Sequence, residues 1–71
     1  MKPLTAKQVE RVLLRRGYRL SRQRGSHRIY RHDGLRTSIA VPFHGGNKQL
    51  PIGTFRAIVR QSKISREDFY Q

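Results

Sequence analysis

Three histidines and four carboxylates are the side chains of this 71-residue sequence suited to moving a proton or holding a metal near neutral pH. The acids are Glu10, Asp33, Glu67 and Asp68. A two-metal nuclease needs several converging carboxylates, and glycoside hydrolysis needs a facing pair. These four are poorly placed to converge, so any catalysis is expected to work without metal, and no cofactor is expected. Cysteine is absent, which excludes a disulfide framework and a Cys-based zinc site. His27 follows Gly25-Ser26 and is flanked by Arg24, Arg28 and Arg31. A histidine beside phosphate-binding cations suits metal-free RNA cleavage. One group takes the proton from the ribose 2′-OH and one returns a proton to the leaving oxygen. Cations stabilise the charge on the phosphorane. RNA supplies its own nucleophile, so no serine or cysteine need be activated. The plainer role for His27 is a strand residue that contacts phosphate or packs at a sheet edge. On these residues alone, that role outweighs catalysis. His44 precedes Gly45-Gly46. It is either a second acid/base group or phosphate contact, or a loop residue capping a helix or turn, and the two are evenly balanced. Ser26 reads as a strand-entry cap or a phosphate donor. His32, beside Asp33, reads as an exposed turn residue.

The charge agrees with an anionic partner. Sixteen Lys and Arg against four acids give a net charge of +12. Such a field attracts polyanions, and nucleic acid is the commonest one in a cell. Twelve of the cations are Arg, which forks onto phosphate and stacks on bases. Nine of these fall between Arg11 and Arg36, with Asp33 the one acid in that span. A solvated basic face is the bland alternative. Membrane-surface binding would want one basic amphipathic helix, whereas these Arg spread over several elements. No run approaches the roughly 18 apolar residues of a spanning helix. The first residues lack the apolar core of a secretory signal. The expectation is a soluble, cytoplasmic protein forming one domain over residues 1–71.

The elements that must position these residues follow from periodicity. Thr5-Ala6-Lys7-Gln8 is a capping box, and Leu4 with Val9 stands at staple spacing. Val9, Val12 and Leu13 recur at i, i+3, i+4, which predicts a helix over 5–16 closed by Gly17. The period then drops to 2. Tyr18, Leu20 and Arg22 alternate with Arg19, Ser21 and Gln23, which predicts a first strand. Arg24-Gly25-Ser26 breaks it, and a second strand follows over 27–31, with His27, Ile29 and Arg31 on one side. Asp33-Gly34 signals a hairpin to a third strand over 35–41, ended by Pro42. Residues 42–51 read as a loop. Phe55, Ile58 and Val59 predict a second helix over 52–62, and Ser65-Arg66-Glu67-Asp68 starts a last helical turn. Phe69 and Tyr70 are placed to close the core, and Tyr30 reads better as a core aromatic than as a base-stacking platform. The order α-β-β-β-α, with a three-stranded antiparallel sheet and helices on one face, is an α+β fold. It is the topology of the double-stranded RNA-binding domain.

Gly25-Ser26-His27-Arg28-Ile29-Tyr30, Val41-Pro42-Phe43-His44, Leu50-Pro51-Ile52-Gly53-Thr54 and Ile64-Ser65-Arg66-Glu67-Asp68-Phe69 occur in that order and spacing. Together they resemble the HicA, or YcfA-like, toxin family over nearly the whole chain. The resemblance implies a double-stranded RNA-binding-domain-like fold and mRNA interferase activity, which cleaves RNA and halts translation. It implies a toxin–antitoxin pair in which a HicB-type antitoxin covers the active site. The family's catalytic histidine maps onto His27, and its second motif histidine onto His44. Lys63 stands where the family often has Gly, so a helix-capping glycine is missing there.

The expected function is therefore a metal-independent endoribonuclease toxin, with His27 in proton transfer. Arg24, Ser26, Arg28 and His44 are the candidate RNA contacts. The alternative is a non-catalytic RNA-binding module of the same fold. A DNA-binding regulator ranks last, since neither helix presents an evident recognition face. Operator DNA is expected to matter only within a toxin–antitoxin complex.

Overall fold

The computed structural model describes residues 2–70. Along the chain run α1 (Ala6–Arg15), β1 (Arg19–Arg24), β2 (His27–His32), β3 (Thr37–Pro42), α2 (Ile52–Ser62) and a 3-10 helix (Arg66–Tyr70). The strands form one antiparallel sheet in the order β1-β2-β3. The expected α-β-β-β-α order is present, an α+β fold of the double-stranded RNA-binding-domain type.

Helix α1 begins at the expected box. The Thr5 side chain accepts from the Gln8 N–H, and the Gln8 side chain accepts from the Thr5 N–H. The helix ends in a Schellman arrangement. Tyr18 N–H donates to Leu13 O at 3.0 Å and Gly17 N–H to Leu14 O at 3.3 Å. Gly17 has φ +93°, and a Cβ there would sit 2.9 Å from the His32 Nε2. Conformation and close approach both demand glycine at this position.

The core lies between the helices and one face of the sheet. Val9, Val12 and Leu13 of α1, Phe55 and Ile58 of α2, and Tyr30, Ile39 and Val41 of the strands are all buried. Phe69 joins them and packs edge-on against Phe55. Tyr70 closes the core only in part, its ring standing edge-on to Phe55 at 6.3 Å. It is 45% exposed, and its hydroxyl donates to the Lys2 carbonyl. The buried Tyr18 hydroxyl donates to Ser62 O at 2.8 Å, satisfying a carbonyl at the open end of α2. The Ser62 hydroxyl donates to Val59 O and accepts from Ile64 N–H.

Three local expectations change. The third strand begins at Thr37 rather than 35, because the turn takes four residues, Asp33 to Arg36. Its left-handed residue is Arg36, at φ 53°, and not Gly34. His32 is more than an exposed turn residue. Its Nδ1 accepts from Leu35 N–H at 3.0 Å, and its ring stands edge-on to Tyr18 at 5.1 Å. The first strand carries a register shift between Leu20 and Arg22. That bulge moves Arg22 from the expected Tyr18–Leu20 side onto the side of Ile29, its cross-strand partner.

Helix α2 ends on Lys63, whose φ 61° and ψ 19° are left-handed. This is the position where glycine is expected. Left-handed backbone costs an L-residue about 1–2 kcal/mol. Lys63→Gly should therefore stabilise the fold by about 1 kcal/mol, raising Tm by roughly 4–8 °C. An unchanged or lower Tm in a thermal melt would show that the Lys63 side chain compensates for its backbone.

Candidate active site

His27 is the first residue of β2. It follows a two-residue turn in which Gly25 takes φ +57°. Glycine first in a two-residue hairpin loop matches the twist of the flanking strands. The turn is tied down on both sides. Gln23 donates to the Gly25 carbonyl at 3.0 Å, and the Phe43 N–H donates to the Ser26 carbonyl at 2.6 Å. The second bond brings the chain just after β3 against the start of β2. His27 is paired across the sheet with Arg24 on one side and Pro42 on the other.

That register brings His44 to His27. The two rings stand edge-on, 84° between planes, with centroids 6.4 Å apart. Both residues are exposed. The loop carrying His44 is anchored on α1. Lys7 N–H donates to Gly46 O at 3.1 Å, and Leu50 N–H to Leu4 O at 2.9 Å. The first of these uses a helix N-terminal donor that has no partner inside the helix.

Strand alternation divides the expected site residues. His27, Ile29 and Arg31 share the sheet face away from the helices, and Arg24 joins them through its pairing with His27. Arg28 points the other way, with Tyr30. Its Nη1 donates to Glu10 Oε2 at 3.2 Å, and its guanidinium lies 3.9 Å from the centroid of Phe43. The Tyr30 hydroxyl donates to the same Glu10 oxygen. The structure thus brings Arg24, Ser26, His27 and His44 to one end of the sheet. It places Arg28 beneath them, inside a Glu10–Arg28–Tyr30–Phe43 cluster.

That cluster has no mark in the sequence. Glu10 lies 18 and 20 positions from its two partners, and nothing local flags the contact. Asp33 bonds Arg19 and Arg31, and Asp68 pairs with Arg16. Three of the four acids are thus engaged by arginine. Among the described residues no three His, Asp or Glu side chains converge as a metal site. A cavity of about 480 Å³ between α1 and the chain ends is lined by Lys2, Arg11, Phe69 and Tyr70 among others. It contains neither histidine, so its size does not mark it as the chemical site.

Burial is the main force holding the Tyr30 hydroxyl protonated, well above the usual phenol range. The Glu10 carboxylate adds to the shift, and Arg28 opposes it. Burial also raises Tyr18. The folded pKa is raised, so this stability is complete below the unfolded value near 10 and is lost as pH rises beyond it. Stability should fall above pH 10, each such tyrosine contributing up to about 1.4 kcal/mol per pH unit. Tyr30→Phe should flatten that decline by one group. Chemical denaturation between pH 9 and 11.5 checks it, and an identical slope in the variant would refute the assignment. At the other limb, the Arg19 and Arg31 guanidinium groups hold Asp33 below the usual carboxylate range.

The fold and the exposed histidine pair define a small, strongly basic α+β protein of the double-stranded RNA-binding-domain type. A family model described as the HicA toxin of bacterial toxin-antitoxin matches residues 6–64, and the chain belongs to that family. It is therefore a toxin of a toxin–antitoxin system, a membership that implies an antitoxin partner. No curated protein matches the chain. Among the described residues no helix is long and apolar enough to cross a membrane.

Proposed function

We propose that the chain, read as one toxin domain over residues 1–71, is a metal-independent endoribonuclease that cleaves mRNA and blocks translation. The observation that carries this is the exposed His27, facing His44 at 6.4 Å beside Arg24, on a protein of net charge +12. His27 acts as the general acid/base at the scissile phosphate. The ribose 2′-oxygen loses its proton and bonds to phosphorus, and the P–O5′ bond breaks. The departing 5′-oxygen takes up a proton. Arg24 and the Ser26 turn hold the phosphate, and His44 lies within reach of the same group. Arg28, held on Glu10 and Phe43, supports this end of the sheet from below. The reading that no metal takes part draws on Glu10, Asp33 and Asp68, each of which is engaged by arginine among the described residues.

The partner that restrains this activity is a HicB-type antitoxin, which covers the histidine face. The complex works in the cytoplasm, and operator DNA is met only within it. Analysis of the product ends tests the chemistry. Purified protein in excess chelator should leave 2′,3′-cyclic phosphate and 5′-hydroxyl ends. Ends carrying 3′-hydroxyl and 5′-phosphate would overturn the mechanism. RNA binding with no cleavage would return the chain to a non-catalytic RNA-binding module.

A further inference from the structure

The bulge in β1 has a consequence for substrate binding. Before it, Arg19 pairs with Arg31, and after it Arg22 pairs with Ile29 and Arg24 with His27. Cross-strand partners share a face, so Arg19, Arg22 and Arg24 all stand on the face away from the helices. Regular alternation from Arg19 would have turned Arg22 and Arg24 toward the helix side. The extra residue at Ser21 therefore gathers the arginines of β1 into one lane. The lane ends beside His27.

The rest of that face is not basic in the same way. Its β3 residues are Ser38, Ala40 and Pro42, the partners of Arg31, Ile29 and His27. All three are uncharged. At the far end, Arg19 and Arg31 are both bonded to Asp33. Arg22 and Arg24 are exposed, and neither has an acidic partner among the described residues. The available charge is thus one strand wide and lies at the His27 end.

We propose that this open sheet face carries a single strand of RNA, with its phosphates over Arg22 and Arg24. The neighbouring bases lie across Ile29, Ala40 and Pro42, and the scissile phosphate is delivered to His27. The substrate claim rests on the nuclease reading above. One lane of cations beside an uncharged strip fits one backbone, whereas a duplex presents two. The helices also carry exposed cations, among them Arg56 and Arg60 of α2. They lie on the opposite side of the sheet from His27, so a strand held there would not pass the histidine.

Binding of a 12-nucleotide single strand of 2′-O-methyl RNA tests this, because that strand lacks the nucleophile and is not cut. The wild type is compared with Arg22→Ala/Arg24→Ala and with the charge-matched Arg56→Ala/Arg60→Ala. All three proteins are read over 50–300 mM salt, with circular dichroism to confirm folding. The sheet variant should bind roughly tenfold or more weakly. Its plot of log K against log salt should be shallower by about 1.4, two phosphates at 0.7 each. The helix variant should retain most of the affinity. Loss of affinity in the helix variant with none in the sheet variant would overturn the proposal. So would tighter binding of a 2′-O-methyl duplex of equal length. Cleavage of unmodified RNA by the wild type is scored separately, so absence of nuclease activity and failure of the sheet site remain distinguishable.

Discussion

Replacing His27 with alanine should lower RNA cleavage by roughly 10²–10⁴-fold, the span that positioned acid/base groups contribute. The fold should be almost unaffected. His27 is exposed, and among the described residues its ring meets that of His44 edge-on. Its strand pairing with Pro42 and Arg24 is made by backbone, which alanine preserves. Surface changes of this kind shift stability by no more than about 0.5 kcal/mol. RNA affinity should also persist, because the cations remain. Paired expression of both proteins in bacteria, with growth and mRNA integrity followed together, gives the cellular readout. Arrest with mRNA cleavage by the wild type alone places the chemistry on His27. Arrest by both would trace the harm to basic RNA binding, and the catalytic assignment would fall.

The second large effect is structural. Glu10→Ala should destabilise the protein by about 2–4 kcal/mol. A single carboxylate oxygen accepts from both the Tyr30 hydroxyl and Arg28 Nη1. Removing it leaves a fully buried hydroxyl without its acceptor and a partly buried guanidinium without its counter-charge. Arg28 Nε is already buried without a partner, so the group has little to fall back on. A domain of this size has a total stability of only about 4–10 kcal/mol. The change should therefore be visible as a fall in Tm of roughly 8–30 °C, or as outright unfolding at 37 °C. Tyr30→Phe removes only a neutral donor and should cost less, about 0.5–1.5 kcal/mol. The order of the two variants is the test, since a smaller loss for Glu10→Ala than for Tyr30→Phe would refute the charge argument. The cluster also touches function. Arg28 follows His27 in the chain and stacks on Phe43, which precedes His44. Loosening it should move both histidines, so cleavage by Glu10→Ala well below its melting temperature should drop in kcat more than in KM.

Much of the scaffold was legible because its signals are local. The capping box at Thr5-Gln8 and the 3.6-residue recurrence of Val9, Val12 and Leu13 need only one turn of helix to act. Helix α2 runs over the expected 52–62 for the same reason. The hairpin at Asp33 formed, but its length did not follow from the dipeptide. Packing of His32 against Tyr18 and bonding of Asp33 by two arginines favour the four-residue turn. Ser21 in the middle of a strand is at most a faint sign of a bulge, because register is a property of two strands and not of one.

For this protein, then, the residues and their order determined the fold class, the basic character, the family and the choice of His27 as the proton-transfer candidate. These depend on composition, short-range periodicity and motif spacing. Tertiary structure alone decided which groups meet. The 17-position gap between His27 and His44 closes through the β2–β3 register and the bond from Phe43 to Ser26. The bulge decided that Arg22 shares a face with His27, and strand alternation decided that Arg28 does not. Glu10 found Arg28 and Tyr30 because α1 packs over the buried face of the sheet. Contacts between distant segments are set by how elements stack and register, and a linear sequence carries no local mark of that geometry.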